Sequence, residues 1–150
     1  MTPHINLTVT DRNGRKCVST GSPWEPIVGY SRAVREGNLI FVTGTLGHEP
    51  DGRFGPTLKE QTRRALEIIV AAIEALGGKA SDVVRTRIYV TDISRWREAA
   101  EVHSAFFESI RPATTMVQVA RLIDDKAMVE IEADAVIHAS LVDPGDGGRN

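Results

Sequence analysis

The fold is decided by two stretches near the end of the chain, RPATTMVQVARL at residues 111–122 and VEIEA at residues 129–133. Pro112 cannot continue a helix, so the helix that precedes it ends there. Glutamates alternate with apolar residues along the second stretch, as side chains do on the two faces of a strand. We therefore predict two strands, at about 114–121 and 128–138, as the last elements of the fold.

Two helices are predicted upstream of these strands. The run Thr57-Leu58-Lys59-Glu60 is a capping box, in which the Thr hydroxyl and the Glu carboxylate each satisfy a free backbone amide. It begins a helix that ends at Gly77-Gly78, because glycine accepts the left-handed geometry that follows a helix. A second helix, at about 94–110, is predicted from the helical spacing of its apolar residues. Its predicted buried face comprises Trp96, Ala99, His103, Phe106 and Ile110.

The earlier segments predict strands joined by tight turns. Asn13-Gly14 favours the positive φ angles of a two-residue turn, so residues 4–20 are predicted to form a β-hairpin. Residues 30–36 and 39–44 are predicted as paired strands, and residues 83–91 as a further strand. In that strand one face is predicted to carry Val84, Thr86, Ile88 and Val90, and the other Arg85, Arg87 and Tyr89.

The order of these elements defines the fold class. After the hairpin it is β-β-α-β-α-β-β, an α+β arrangement with a mixed sheet and two helices on one face. At 150 residues the chain is one domain by the usual length of domains. We assign residues 1–22 to an N-terminal extension, 23–139 to the domain itself, and 140–150 to a Gly-rich tail that we expect to be disordered.

Composition argues against several classes of partner. The net charge is −2 and the pI about 6.1, so the basic excess that neutralises phosphates is missing and no nucleic acid is expected as a partner. No apolar run reaches the length of a membrane span, and the N-terminus lacks the form of a signal peptide. Cys17 is the single cysteine, which fits a reducing compartment. We expect a cytoplasmic protein with no membrane partner.

No cofactor or metal is expected from the motifs. The four histidines (4, 48, 103 and 138) show no ligand spacing with a cysteine or a carboxylate. Gly44-x-x-Gly47 opens a loop instead of a helix, so it does not form a phosphate cradle. His103 lies on the apolar face of the second predicted helix, where a packed, hydrogen-bonded core histidine is favoured over a catalytic base.

One face of the predicted sheet is charged. Strand alternation brings five charged side chains to this face: Arg85, Arg87, Glu130, Glu132 and Asp134. Such a face is either solvated or covered by a partner subunit, and the residues alone leave both alternatives open.

Several motifs, in order and at consistent spacing, resemble those of the Rid family (YjgF, or L-PSP endoribonuclease-like, proteins). The closing stretch is similar to a family strand that begins Pro-Ala-Arg and continues Val-Ala-Arg-Leu, followed by a strand with Glu-Ile-Glu. Gly29-Tyr30 and the run from Gly37 to Gly44 are similar to the family's Pro-Tyr segment and the Gly-Asn strand after it. The resemblance covers about residues 24–138. It implies a chorismate-mutase-like fold and a homotrimer, with small-molecule pockets in the clefts between subunits.

The resemblance also assigns site residues. Tyr30 matches the tyrosine that lines the pocket, Thr43 the small hydroxyl residue that contacts the ligand, and Glu130 the carboxylate that positions water. Thr114 stands where deaminase members carry the arginine that grips the substrate carboxylate. A threonine offers one neutral hydroxyl, whereas a guanidinium gives a two-donor, charge-assisted clamp.

The replacement at Thr114 leaves three outcomes open. In the first, another arginine binds the carboxylate. Arg32 is preferred, because it lies two residues from Tyr30 and points to the same side of a strand, and Arg121 matches a further family arginine. In the second, the ligand lacks a carboxylate, and Trp24 and Glu25 reshape the pocket. In the third, the site no longer catalyses a reaction.

The predicted function is therefore hydrolysis of a small imine, enamine or related labile metabolite. Glu130 is the predicted catalytic residue, and the predicted substrate-binding residues are Tyr30, Thr43, Thr114 and Arg32. The alternative is a non-catalytic module for metabolite binding or assembly. Ribonuclease activity is not expected, because the sequence has no paired histidines, no basic strip and no aromatic ladder.

Overall fold

The computed structural model describes residues 4–138, and within that range it contains seven β-strands and three α-helices. In chain order these are β1 (Thr8–Arg12), β2 (Arg15–Ser19), α1 (Trp24–Val28), β3 (Ala33–Glu36), β4 (Leu39–Leu46), α2 (Leu58–Ala75), β5 (Val83–Val90), α3 (Trp96–Phe107), β6 (Ala113–Gln118) and β7 (Val129–Val136). Short 3-10 turns at Ala80–Asp82 and Ile93–Arg95 precede β5 and α3. The tail predicted at 140–150 lies outside the described residues.

All seven strands form one mixed sheet in the order β1-β2-β3-β4-β7-β5-β6. The pairs are antiparallel except β5 with β6, which are parallel and connected through α3. Helix α2 packs on β4 and β7, and α3 packs beside α2. The predicted α+β class, the mixed sheet and the two helices on one face are confirmed. The short helix α1 was not predicted; Pro26 fits in its first turns, where no backbone donor is needed.

The hairpin of β1 and β2 continues the main sheet. Asn13 and Gly14 have φ angles of 56° and 78°, as a two-residue turn of this type requires. On its other side β2 pairs with β3, where Cys17 lies opposite Val34. The hairpin of β1 and β2 is therefore joined to the domain by the backbone hydrogen bonds between β2 and β3.

Helix α2 begins and ends as the sequence predicts. The Glu60 amide donates to the Thr57 hydroxyl at 3.2 Å, and the Thr57 amide donates to the Glu60 carboxylate at 3.1 Å. Gly77 follows the helix with a φ angle of 88°. The apolar face of α2 supplies much of the core, with Ala65, Leu66, Ile69, Ala72 and Ile73 all fully buried. This packing fixes the helix against the strands that carry the site.

Two predicted faces are wrong in part. Trp96 is 43% exposed, because α3 begins at that residue on the surface, and Arg97 stacks over its ring at 4.6 Å. The predicted Ala99 is buried, and Phe106 and Ile110 pack partly buried against the core, but the face also carries Val102 and Phe107, which were not predicted. Val84 is also 43% exposed, because the pairing of β5 with β7 shifts register between Val83 and Arg85 and breaks the alternation. A single local irregularity reverses the face of the residue beside it.

His103 is a half-buried, hydrogen-bonded residue of the core side, as predicted. Its Nε2 lies 2.8 Å from the Thr86 hydroxyl, and its ring packs at 4.8 Å from the Phe107 ring centroid. Burial lowers the pKa of His103, because the charged imidazolium is disfavoured away from water.

The charged sheet face is held by its own ion pairs. Arg87 lies 3.4 Å from the carboxylates of both Glu132 and Asp134, and the Tyr89 hydroxyl donates to Glu132 at 2.9 Å. Phe41 stands on β4 opposite Asp134 and is 47% exposed. The face thus combines paired charges with an uncovered aromatic ring.

Candidate active site

A cleft of about 740 Å³ opens where β3, β4 and β7 meet the loops at their ends. Four of the predicted site residues line it, namely Tyr30, Arg32, Thr43 and Glu130. Its lining includes aromatic side chains from two segments, with Trp24 at the start of α1 and His48 and Phe54 in the loop after β4. Strand pairing explains the convergence, because β4 lies between β3 and β7 and carries Thr43 between the other residues.

Arg32 occupies the centre of this arrangement and is only 5% exposed. Its Nη1 donates to the Gly44 carbonyl at 2.8 Å and to the Thr45 hydroxyl at 3.2 Å, and its Nη2 donates to the Tyr30 hydroxyl at 3.2 Å. Its guanidinium also lies 5.5 Å from the Tyr30 ring centroid. Nε is buried and has no hydrogen-bond partner among the described residues. An open two-donor edge for a carboxylate is therefore not presented in this conformation.

Tyr30 and Thr43 line the cleft, and their hydroxyls differ in their hydrogen bonds. The Thr43 hydroxyl donates to the Ser31 carbonyl at 2.6 Å, so its hydrogen is used within the protein. The half-buried Tyr30 hydroxyl accepts from Arg32, and within residues 4–138 no acceptor for its own hydrogen is found. Thr43 thus presents lone pairs to a ligand, whereas Tyr30 presents a donor.

Glu130 reaches the cleft beside Gly44. A Cβ on Gly44 would come within 2.9 Å of Oε1 of Glu130, so the carboxylate occupies the space that a side chain would take. Burial raises the pKa of Glu130, and Glu132 raises it further, while the nearby Arg32 guanidinium opposes the rise. A partly desolvated carboxylate with a raised pKa is suited to accept a proton near neutral pH.

The loop that carries Trp24 is fixed by Glu25. One oxygen of the buried Glu25 carboxylate accepts from the Thr20 amide at 3.3 Å, the Thr20 hydroxyl at 3.1 Å and the Ser22 amide at 2.9 Å. These bonds tie the end of β2 to the start of α1. Trp24 lines the cleft and stays 44% exposed, while Glu25 supports the rim and does not itself line the cleft.

Arg64 forms part of the opposite wall from helix α2. It is 5% exposed, it donates to the His48 carbonyl at 3.3 Å, and it pairs with Glu49 at 3.6 Å and with Glu67 at 3.4 Å. No sequence pattern pointed to Arg64, because its partners His48 and Glu49 lie in a loop whose path was not predictable. His48 and Phe54, which pair across that loop, were missed for the same reason.

Thr114 and Arg121 lie away from this cleft within one chain. Thr114 is on β6, at the edge of the sheet, where its hydroxyl donates to the Pro112 carbonyl at 3.1 Å and lies 2.9 Å from the Thr86 hydroxyl. Arg121 is exposed and pairs with Asp125 at 2.7 Å. Thr114 could contribute to a cleft only from a neighbouring subunit, which is the arrangement that the predicted trimer requires.

The described residues contain no group of three or more histidine, cysteine or acidic side chains that could hold a metal ion. Within residues 4–138, no helix combines the length and the apolar character that crossing a membrane would require.

The fold and the cleft define a class of small α+β proteins with an open cleft at the ends of the strands. The family model for endoribonuclease L-PSP matches residues 20–137. A RutC family protein of Pyrococcus abyssi is 36% identical over 123 residues, covering 81% of this chain and 96% of its own length. A protein of Dermatophagoides farinae named 2-iminobutanoate/2-iminopropanoate deaminase is 33% identical over 126 residues, covering 82% of this chain and 97% of its own.

A solved structure shows the same architecture at higher sequence identity. A Mycobacterium tuberculosis member of the YjgF/YER057c/UK114 family is 54% identical, with a TM-score of 0.77, and the match covers 82% of this chain and 99% of that one. The chain therefore belongs to the endoribonuclease L-PSP family, the Rid or YjgF-like proteins.

Proposed function

We propose that the protein hydrolyses a small imine, enamine or related labile metabolite in the cleft beside Glu130. The observation that carries the proposal is the half-buried Glu130 carboxylate, which lies against Gly44 in a cleft that Tyr30 and Thr43 also line. The deaminase name of the Dermatophagoides farinae relative supports this class of reaction.

The chemistry needs only a positioned water and a proton acceptor. Glu130 takes a proton from the water while the water oxygen bonds to the imine carbon, and the C=N electron pair moves to nitrogen. Glu130 returns that proton to the nitrogen, which gives a neutral carbinolamine. Glu130 then takes the hydroxyl proton of the carbinolamine and passes it to the amine as the C–N bond breaks, which leaves a carbonyl group and ammonia; the reaction consumes one water and needs no cofactor.

We further propose that the site is completed in a homotrimer. The edge position of β6 allows Thr114 of one subunit to reach the cleft of another, and the exposed Phe41 on the charged sheet face is suited to an interface. Burying the ion pairs of that face between subunits would also exclude water from them.

The second candidate is a non-catalytic metabolite-binding or assembly module. Thr114 favours it, because the family's substrate-binding arginine is absent from that position. Both candidates use the same cleft, so they are distinguished by turnover and not by binding.

The test follows ammonia release from two imines: 2-iminobutyrate, formed in place by a threonine dehydratase, and benzophenone imine, which carries no carboxylate. We expect acceleration of at least one, reduced about a hundredfold or more in Glu130→Gln, on the scale of a lost general base. Glu74→Gln, an exposed change on α2, is the matched control and should turn over normally. If the intact protein accelerates neither imine, the hydrolase proposal fails and the binding module remains.

A further inference from the structure

The hydrogen-bond polarity of Tyr30 is fixed by Arg32. A guanidinium remains protonated in proteins and can only donate hydrogen bonds, so the contact at 3.2 Å makes the Tyr30 oxygen an acceptor. The phenol hydrogen is then left for another partner. Because Tyr30 lines the cleft, a hydrogen-bond acceptor on a ligand is a suitable partner for this hydrogen.

Thr43 has the opposite polarity. A backbone carbonyl can only accept, so the hydrogen of the Thr43 hydroxyl is committed to Ser31 at 2.6 Å. The oxygen that faces the cleft offers lone pairs alone. A ligand group that contacts Thr43 must therefore be a donor.

Glu130 adds a second acceptor next to these two groups. Its carboxylate lies against Gly44, and the Gly44 carbonyl accepts from Arg32, which also bonds Tyr30. Tyr30 and Glu130 are therefore connected through Gly44 and Arg32 in the same cleft. Together with Thr43 they form one donor and two acceptors around a common space.

The charge of the lining disfavours an anionic ligand. The cleft is lined by two arginines and three carboxylates, the latter from Glu49, Asp124 and Glu130, so its formal charge is −1 with histidines neutral. Arg64 is engaged with Glu49 and Glu67. Arg32 uses three of its five N–H donors within the protein, and the burial of Nε closes the edge that its remaining donors would form. Neither cation presents a free two-donor edge of the kind that grips a carboxylate.

The rest of the cleft is suited to an apolar or aromatic body. Trp24 and Phe54 stand at its rim, and Leu46 and Ile68 line it further in. A volume of about 740 Å³ is far more than a polar head group of a few atoms would fill.

We propose that Arg32 is a positioning residue that fixes Tyr30 as a hydrogen-bond donor, and that the cleft takes an uncharged, planar head group on an apolar body. The head group carries one acceptor for Tyr30 and N–H donors for Thr43 and Glu130, the pattern of a carboxamide or of a neutral imine beside a carbonyl. The inference rests on the proposed function for the place where the ligand binds, but it does not require turnover.

Three ligands of one shape test this pattern by calorimetry on the full-length protein. Benzamide has an acceptor and N–H donors, benzoate is an anion with acceptors only, and benzamidine is a cation with donors only. We expect benzamide to bind at least tenfold more tightly than either of the others. Equal or tighter binding of benzoate would show that the cleft binds a carboxylate. Tighter binding of benzamidine would show that Tyr30 does not donate a hydrogen bond. Either result overturns the proposal.

Variants separate positioning from mere structural support. Tyr30→Phe removes the donor and should weaken benzamide binding about fivefold to tenfold, the scale of one hydrogen bond. Arg32→Met should weaken it by a similar factor in the native background and not at all in the Tyr30→Phe background, because the arginine acts through the tyrosine. Tyr89→Phe, which removes a hydroxyl bonded to Glu132 outside the cleft, is the matched control and should bind benzamide normally.

Folding defects are distinguished from the proposed role by Arg32→Lys. A lysine is also a donor only, so where it reaches Tyr30 it should restore part of the benzamide affinity that Arg32→Met loses. Independent, multiplying losses from Arg32→Met and Tyr30→Phe would overturn the positioning role. Benzamide binding with the expected variant pattern, but without hydrolysis of either imine, would uphold this inference while the hydrolase proposal fails.

Discussion

Glu130 and Gly44 share one space at the end of β4: the carboxylate lies where the side chain of any other residue at position 44 would begin. Glycine at this position is thus a requirement of the site and not of the turn, since Gly44 has no positive φ angle. The closeness also places Glu130 beside the carbonyl that anchors Arg32.

Gly44→Ala should therefore act on the site more than on the fold. The added Cβ meets the end of a flexible side chain, so Glu130 swings aside and the fold survives. We expect turnover of the responsive imine to fall about tenfold or more, with a shift in melting temperature of only a few degrees. The double variant with Glu130→Gln should be no slower than Glu130→Gln alone; a further loss would place the effect elsewhere.

The pH dependence of activity should reflect the ionisation of Glu130. Burial raises its pKa above the usual value, and only the ionised form accepts a proton from water. Activity should rise as pH increases through this raised pKa, and Glu130→Gln should lose that rise along with its rate. An unchanged profile in the variant would assign the titration to another group.

The raised pKa of Glu130 also makes the free energy of unfolding depend on pH. A carboxyl with a raised folded-state pKa stabilises the fold in its protonated form, and that contribution is lost as pH increases through the folded pKa. Denaturant titrations from acid to pH 8 should therefore show Glu130→Gln gaining stability relative to the native protein as pH increases. A constant difference across this range would contradict the raised pKa.

Glu25 should matter for the shape of the rim. One of its oxygens accepts three hydrogen bonds from Thr20 and Ser22, and Glu25→Ala leaves these donors without a buried partner. We expect a loss of about 1–3 kcal/mol in the free energy of unfolding. Glu25→Gln keeps one carbonyl oxygen and should lose less. Equal losses in the two variants would show that packing, and not these bonds, is responsible.

Light scattering should give the mass of the assembly directly. We expect three times the 16.4 kDa of one chain. Phe41→Asp introduces a charge on the exposed sheet face, opposite Asp134, and should shift the protein towards monomer without unfolding it. Val9→Asp, an exposed apolar position on β1, is the control and should leave the mass unchanged. If the native protein is a monomer, there is no neighbouring subunit that could bring Thr114 to the cleft.

Local signals in the sequence were sufficient for most of the fold. The capping box at Thr57 and the Asn13-Gly14 turn act over a few residues, so their structures could be predicted without tertiary information. Val84 and Trp96 were misplaced because a register shift and a helix start depend on neighbouring strands and on the surface. Such features have no pattern within one segment.

The site was predictable only where a motif specified it. Tyr30, Thr43 and Glu130 were found by resemblance, and the cleft brings them together with Arg32. The polarity of the two hydroxyls was not predictable, because it depends on Ser31 and on the path of the Arg32 side chain. Gly44 was noticed as part of a loop motif, but its contact with Glu130 requires the pairing of two distant strands.

The hydroxyl of Thr114 touches that of Thr86, which in turn touches the ring of His103 beneath the sheet. The exposed Thr114 is therefore linked to the buried Thr86 and, through it, to His103. Thr114→Arg would remove the hydrogen bond between Thr114 and Thr86 and leave the Thr86 hydroxyl bonded to His103 alone. Any gain in carboxylate binding from Thr114→Arg would therefore be accompanied by a weaker contact between β5 and β6.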